Sequence, residues 1–167
     1  MRQGGESMTN QRVDIEATAS GRAALAASRS DRASSIDALR ALEEMASSAG
    51  PSRPDAWRDD VLGAIDELIS NLQHQYQASL AEDSLLSQIA DDSPHLAGSV
   101  EALRSSQTAI IEDLEGLRAQ LADFSRTPDI ASLRSTLAGI TAEIREFRSW
   151  EADLVHEAYY VDLGVVG

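Results

Sequence analysis

The stretch that decides the fold is PHLAGSVEALRSSQTAIIEDLEGLRAQLA, residues 94–122. From Leu96 to Leu121 its large apolar side chains recur at alternating intervals of four and three residues, with one gap that is filled by Gln107. Residues spaced in this way lie on one face of an α-helix, and sustained four-three spacing is typical of helices that pack against each other at about 20°. The stretch therefore predicts a helix with a buried face and one polar residue in it.

Three further segments carry apolar residues at helical spacing, the last of them in the same four-three rhythm, and prolines or glycines lie between the segments. The apolar positions are Leu25, Ile36, Leu39, Leu42 and Met45, then Val61, Leu62, Ile65, Leu68, Ile69, Leu72, Tyr76 and Leu80, and finally Leu133, Leu137, Ile140, Ile144, Phe147, Leu154, Ala158 and Val161. The breaks fall at Gly50-Pro51, Pro54, Pro94 and Thr127-Pro128, as helix ends and starts require. A short extra turn is predicted around Leu85, Leu86 and Ile89.

Four helices with short connections predict an all-α fold, arranged as an up-down-up-down four-helix bundle. We expect this domain to cover residues 21–164. Residues 1–20 are polar and contain Gly4-Gly5, which predicts a flexible tail. Residues 165–167 are expected to form a short apolar tail.

The charge balance excludes several classes of function. The formal net charge is −14, which disfavours nucleic acids and anionic membrane surfaces, because both bind to basic patches. The chain has no cysteine, so disulfides and thiolate metal sites are excluded. No apolar run approaches the roughly 18–20 residues that span a bilayer, and the N-terminus lacks the apolar segment of a secretory signal. We expect a cytoplasmic protein.

Polar residues interrupt the predicted buried faces. Gln107 and Glu151 fill gaps in the third and fourth long helices, Tyr76 lies on the apolar face of the second, and Arg32 precedes Ile36 by one turn on the first. Burying a polar group without a partner costs roughly 1–3 kcal/mol, so such residues need partners. We therefore predict that the four meet at one level, with an ion pair between Arg32 and Glu151 inside a polar network.

Two stretches resemble the hemerythrin-like (HHE) family. They are SPHLA and VEALR at 93–97 and 100–104, and ADLVHEAY with VDLG at 152–159 and 161–164. The resemblance extends from about residue 55 to residue 164, and more loosely over the first helix. It implies a four-helix bundle around a di-iron centre that binds or senses oxygen or performs redox chemistry.

The chain departs from the family's ligand pattern at almost every position. Where the family has metal-binding histidines or acids, this sequence has Arg32, Tyr76, Leu80, Gln107, Ile111 and Phe147, and only Glu151 keeps a residue type that binds metal. The spacing places His74 on the solvent side, His95 at an end of the bundle and His156 away from the apolar face. We interpret Arg32, Tyr76, Gln107, Phe147 and Glu151 as a vacated metal site.

Three functions remain open after this comparison. The first is a binding or interaction module without a cofactor, for an unknown protein or small molecule. The second is a metalloprotein that uses iron with an unusual ligand set, in oxygen or redox sensing. The third is an enzyme with Glu151 as a general base, although a non-enzyme is favoured. Trp150, Tyr159, Tyr160 and Val165-Val166 are candidates for a partner or homodimer contact.

Overall fold

The structure is a computed structural model that describes residues 6–47, 54–123, 125 and 129–161. Within these ranges the chain is all-helical, which confirms the predicted all-α class. Its elements are α1 (Glu6–Ser47), α2 (Pro54–Ser79), the short helix α3 (Leu85–Asp92), a 3-10 turn (Pro94–Leu96), α4 (Ala97–Ala122), α5 (Ile130–His156) and a π-helical turn (Glu157–Val161).

Each of the four long helices packs against two others. Both α1 and α4 contact α2 and α5, while α3 packs mainly on α4. Along α1 and α2 the contacts run in opposite directions: Met45 meets Trp57 near one end, and Ser35 meets Gln75 towards the other. These contacts enclose a single core between the helices.

Leucine and isoleucine side chains fill this core. On α4 the four-three pattern is buried as predicted, including Gln107. The most deeply buried large side chains are Leu42, Val61, Ile65, Leu68, Leu72, Ile89, Val100, Leu103, Leu114, Leu117, Leu121 and Ile144. Burial of each such side chain stabilises the fold by about 1.5–3 kcal/mol relative to leaving it in water.

Side chains satisfy the polar groups at several helix ends. The indole of Trp57 donates a hydrogen bond of 3.0 Å to the carbonyl oxygen of Met45 near the end of α1. Asp129 caps α5, because its carboxylate accepts hydrogen bonds from the backbone of Ala131 and Ser132. The predicted start at Thr127-Pro128 and the break at Gly50-Pro51 lie outside the described residues.

The first helix is longer than expected and turns a different face inward. It begins at Glu6, so residues 6–20 have helical backbone where a flexible tail was predicted. Once a helix has formed, each further residue adds a hydrogen bond, and no proline interrupts this stretch. Residues 1–5 and 165–167 lie outside the described ranges.

Two apolar residues that were assigned to the buried faces lie at the surface. Ile36 on α1 is 43% exposed, while its neighbours Ser35 and Ala38 are buried, and Leu80 is exposed just after α2. The small side chains at positions 35 and 38 let α2 approach closely, which turns Ile36 outward. The prediction that Ile36 belongs to the core was therefore wrong.

None of the described helices combines the length and the apolar character that a membrane-spanning segment needs.

Two alanine substitutions on α1 test its orientation. Leu42→Ala should lower the free energy of unfolding by about 2–5 kcal/mol, because it leaves a cavity at a buried site. Ile36→Ala should change it by about 0.5 kcal/mol or less, because Ile36 is exposed. Urea denaturation of both variants measures the difference, and equal losses would contradict the orientation of α1.

Candidate functional site

Gln107 is the buried polar side chain at the centre of the candidate site. It replaces an apolar residue in the buried face of α4 and is only 4% exposed. Its Nε2 donates a hydrogen bond of 3.0 Å to the carbonyl oxygen of Leu72 on α2. Since that bond identifies the nitrogen, the amide oxygen Oε1 is an acceptor, and it has no hydrogen-bond partner among the described residues.

Glu151 on α5 accepts contacts from two arginines. Arg148, one turn earlier, donates from Nη1 to Glu151 Oε2 at 3.1 Å, and both side chains are nearly buried. The Nε of Arg32 on α1 lies 3.4 Å from the same oxygen, and Arg32 is 28% exposed. The ion pair predicted between Arg32 and Glu151 is thus present, at the edge of the core.

A chain of hydrogen bonds extends from this carboxylate across three helices. Arg148 Nη2 donates to Gln75 Oε1 on α2 at 2.6 Å, and Gln75 Nε2 donates to Ser35 Oγ on α1. Sequence reasoning missed Arg148, Gln75 and Ser35 as members of the network. The spacing of Arg148 and Glu151, which lets them pair on one helix face, was the available signal for Arg148.

Gln75, Gln107, Arg148 and Glu151 line one cavity of about 100 Å³. This volume has room for a few water molecules or a small organic molecule. Alanines of α1 and α2 lie at its mouth, where Ala27 and Ala78 are exposed, and their small side chains leave the opening clear. Leu85 and Leu86 of α3 add an apolar wall.

Arg104 holds α3 beside this cavity. Its guanidinium group donates to the carbonyl oxygen of Ser79, at the end of α2, and to Ser87 Oγ on α3. Ser84 caps α3 by accepting a hydrogen bond from the backbone of Ser87, and it also donates to Ser79. These bonds tie the α2–α3 turn to α4 and so fix the wall that α3 provides.

Tyr76 and Phe147 do not line the cavity, although they were predicted to belong to the same site. Tyr76 is partly buried and lies in a surface groove between α2 and α4, beside Thr108. Phe147 is part of the apolar core, and the guanidinium carbon of Arg148 lies 5.2 Å from the centre of its ring. Of the four polar residues that were expected to meet, Arg32 and Glu151 form an ion pair, and Gln107 lines the same cavity as Glu151. Tyr76 lies apart from them.

The donor groups around Glu151 do not fit a di-iron centre. Guanidinium groups carry positive charge and cannot bind a metal ion, and two of them contact the carboxylate of Glu151. His74, His95 and His156 are all exposed, as their spacing predicted. Among the residues that the structure describes, no group of three or more histidines or acids lies close enough together to hold a metal.

The aromatic residues at the end of α5 lie partly at the surface. Trp150 and Tyr159 are exposed to similar extents. Partial burial raises the pKa of the Tyr159 phenol, and the negative charge of Asp92 raises it further. The side chain of Tyr160 and residues Val165-Val166 lie outside what the structure describes.

Double-mutant cycles test the network around Glu151. The coupling between Arg148→Ala and Glu151→Ala should be about 1–3 kcal/mol in the free energy of unfolding, because these partners are hydrogen-bonded and nearly buried. The coupling between Arg32→Ala and Glu151→Ala should be smaller, since Arg32 is more exposed. Urea denaturation provides the values, and Glu67→Ala with Arg148→Ala is the additive control. Additive losses for Arg148 and Glu151 would exclude the network.

Comparison of the chain with protein-family models, with curated proteins and with solved structures gives no match. The geometry of the described side chains is therefore the basis for the chemistry assigned to this site.

Proposed function

We propose that this chain is a hemerythrin-like bundle that uses its core cavity to bind a small molecule instead of a di-iron centre. The fold proposed is an up-down-up-down four-helix bundle with α3 inserted between the second and third long helices. The packing of each long helix against two others supports this arrangement, as do the opposite directions of contact along α1 and α2.

The amide oxygen of Gln107 is the observation that carries the proposal. It belongs to a side chain that is 4% exposed, it lacks a partner among the described residues, and Gln107 lines the cavity. Because Gln107 borders the cavity, a ligand or a water molecule there can donate a hydrogen bond to this oxygen. A well-packed core would have an apolar residue at this position.

The chemistry of the walls selects the kind of ligand. Gln107 Oε1 accepts hydrogen bonds, and so does Glu151 Oε1, which is the carboxylate oxygen that the two arginines leave open. A neutral ligand that donates hydrogen bonds, as a primary amide does, would match these acceptors, whereas a cation would be repelled by the two guanidinium groups. Leu85 and Leu86 favour an apolar group on its other side.

The walls are organised before a ligand arrives. Arg148 is held by Glu151 and Gln75, and Gln75 in turn is held by Ser35. Side chains that are already fixed lose little entropy on binding, so a small ligand can bind with few contacts. This favours a binding function for the cavity.

Titration with acetamide tests the binding site. In ¹⁵N-labelled protein, the side-chain amide signals of Gln107 should shift, while those of the exposed Gln73 should not. Gln107→Met keeps a similar volume but removes the acceptor, and it should weaken binding about tenfold. Gln73→Met is the matched control. If acetamide does not bind, or if Gln107→Met binds it as tightly, the cavity is not the proposed site.

Elemental analysis of the purified chain tests the proposed loss of the metal centre. We expect iron, zinc and manganese each to be far below one equivalent per chain, because guanidinium groups surround the carboxylate. Near-stoichiometric iron would contradict the proposal and support a metalloprotein with an unusual ligand set.

A further inference from the structure

Charged side chains on α5, together with Glu157 directly after it, are separated onto two sides of the helix. Glu143, Glu146, Asp153 and Glu157 are exposed and share one side with Trp150, within an arc of about 80° at 3.6 residues per turn. Arg134, Arg145 and Arg148 lie within a similar arc on the opposite side. The helix thus presents an acidic surface around one exposed tryptophan.

The arginine side is occupied by contacts within the protein. Arg145 pairs with Glu43 of α1, and Arg148 pairs with Glu151. By contrast, none of the four acids beside Trp150 forms an ion pair with another residue that the structure describes. Their charge is therefore directed at solvent.

A groove between α4 and α5 runs beside this acidic surface. Its volume is about 330 Å³, and its lining combines Ile110 and Phe147 with Glu143, Glu146 and Trp150. Trp150 is 37% exposed, so part of its indole surface is open to solvent. Apolar surface bounded by charges of one sign is typical of a protein interaction site.

We infer that this groove, which we call the Trp150 groove, docks a basic amphipathic segment of another protein. Ile110 and Phe147 are buried and form the floor of the groove, so the apolar side chains of the segment would pack on the exposed Ala109 and the open part of the Trp150 indole. An arginine or lysine of the segment would lie over the Trp150 ring. Glu143 and Glu146 would pair with its other cations. This site is separate from the cavity proposed above, which lies on the opposite side of α5.

Charge complementarity decides between a basic partner and a second copy of the chain. Two copies would bring together acidic surfaces of proteins that each carry a net charge of −14, which is unfavourable. A basic segment is instead attracted to this surface, and the attraction should weaken as salt screens it.

The test uses the full chain and a synthetic helical peptide with leucines on one side, arginines on the other, and no aromatic residue. Binding should change the fluorescence of Trp150, whereas Trp57 is buried and should respond little. A peptide with citrulline in place of arginine keeps the shape without the charge, and it should bind about tenfold more weakly or worse.

Variants then locate the site. Glu143→Gln with Glu146→Gln should weaken binding about fivefold at low salt, and Trp150→Ala should weaken it by at least as much. Calorimetric titration measures the affinity of all variants, because Trp150→Ala removes the fluorescent reporter. Glu67→Gln with Glu82→Gln removes the same charge from exposed positions on or next to α2, and it should leave the affinity within about twofold. Equal weakening by both double variants would mean attraction to net charge alone and would overturn the proposal. So would the absence of arginine-peptide binding, or unchanged binding by Trp150→Ala.

Discussion

A polar side chain inside a helical core must satisfy its hydrogen-bonding groups or destabilise the fold, and this constraint governs the centre of the molecule. Gln107 meets it only in part. Its nitrogen donates to the Leu72 carbonyl, which ties α4 to α2, and its side chain borders the cavity, while its oxygen has no hydrogen-bond partner among the described residues. A leucine at this position could pack there without any polar requirement. The retained amide and the cavity are therefore two aspects of one feature, and both favour an occupant that donates hydrogen bonds.

The charges around the cavity follow from the same constraint. Glu151 would be costly to bury alone, and two arginines compensate it from α5 and α1. Arg148 would be equally costly, and Glu151 and Gln75 accept hydrogen bonds from its Nη1 and Nη2 atoms. Such a network holds its members in one arrangement, which matters more for the shape of the site than for the net stability of the fold.

How much of this could be read from the sequence depends on the type of side chain. Large apolar residues at four-three spacing identified α4 and its buried Gln107, because periodicity reports directly on burial. The alanine-rich α1 was harder, since Ser35 and Ala38 are buried for their small size, whereas the larger Ile36 is exposed. Arg148 was missed because a long cationic side chain is usually assigned to solvent, yet it can reach inward from beside Phe147. Whether Tyr76 lies in the core or in a surface groove depends on the rotation of α2 about its own axis. The spacing of apolar residues determines that rotation only to within a fraction of a turn.

One turn of α5 links the two surfaces to which we assign functions. Phe147 and Trp150 line the Trp150 groove, while Arg148 and Glu151 line the cavity on the other side of the same helix. The two pairs alternate along one helical turn. A shift of the backbone of this turn that alters one site therefore also moves the side chains of the other. Two sites on such a turn influence each other only if a ligand at one changes the preferred position of that turn, and the influence is then equal in both directions. The cavity and the Trp150 groove are therefore separate in chemistry, one selecting a small hydrogen-bond donor and the other a cationic segment, but they share one mechanical element.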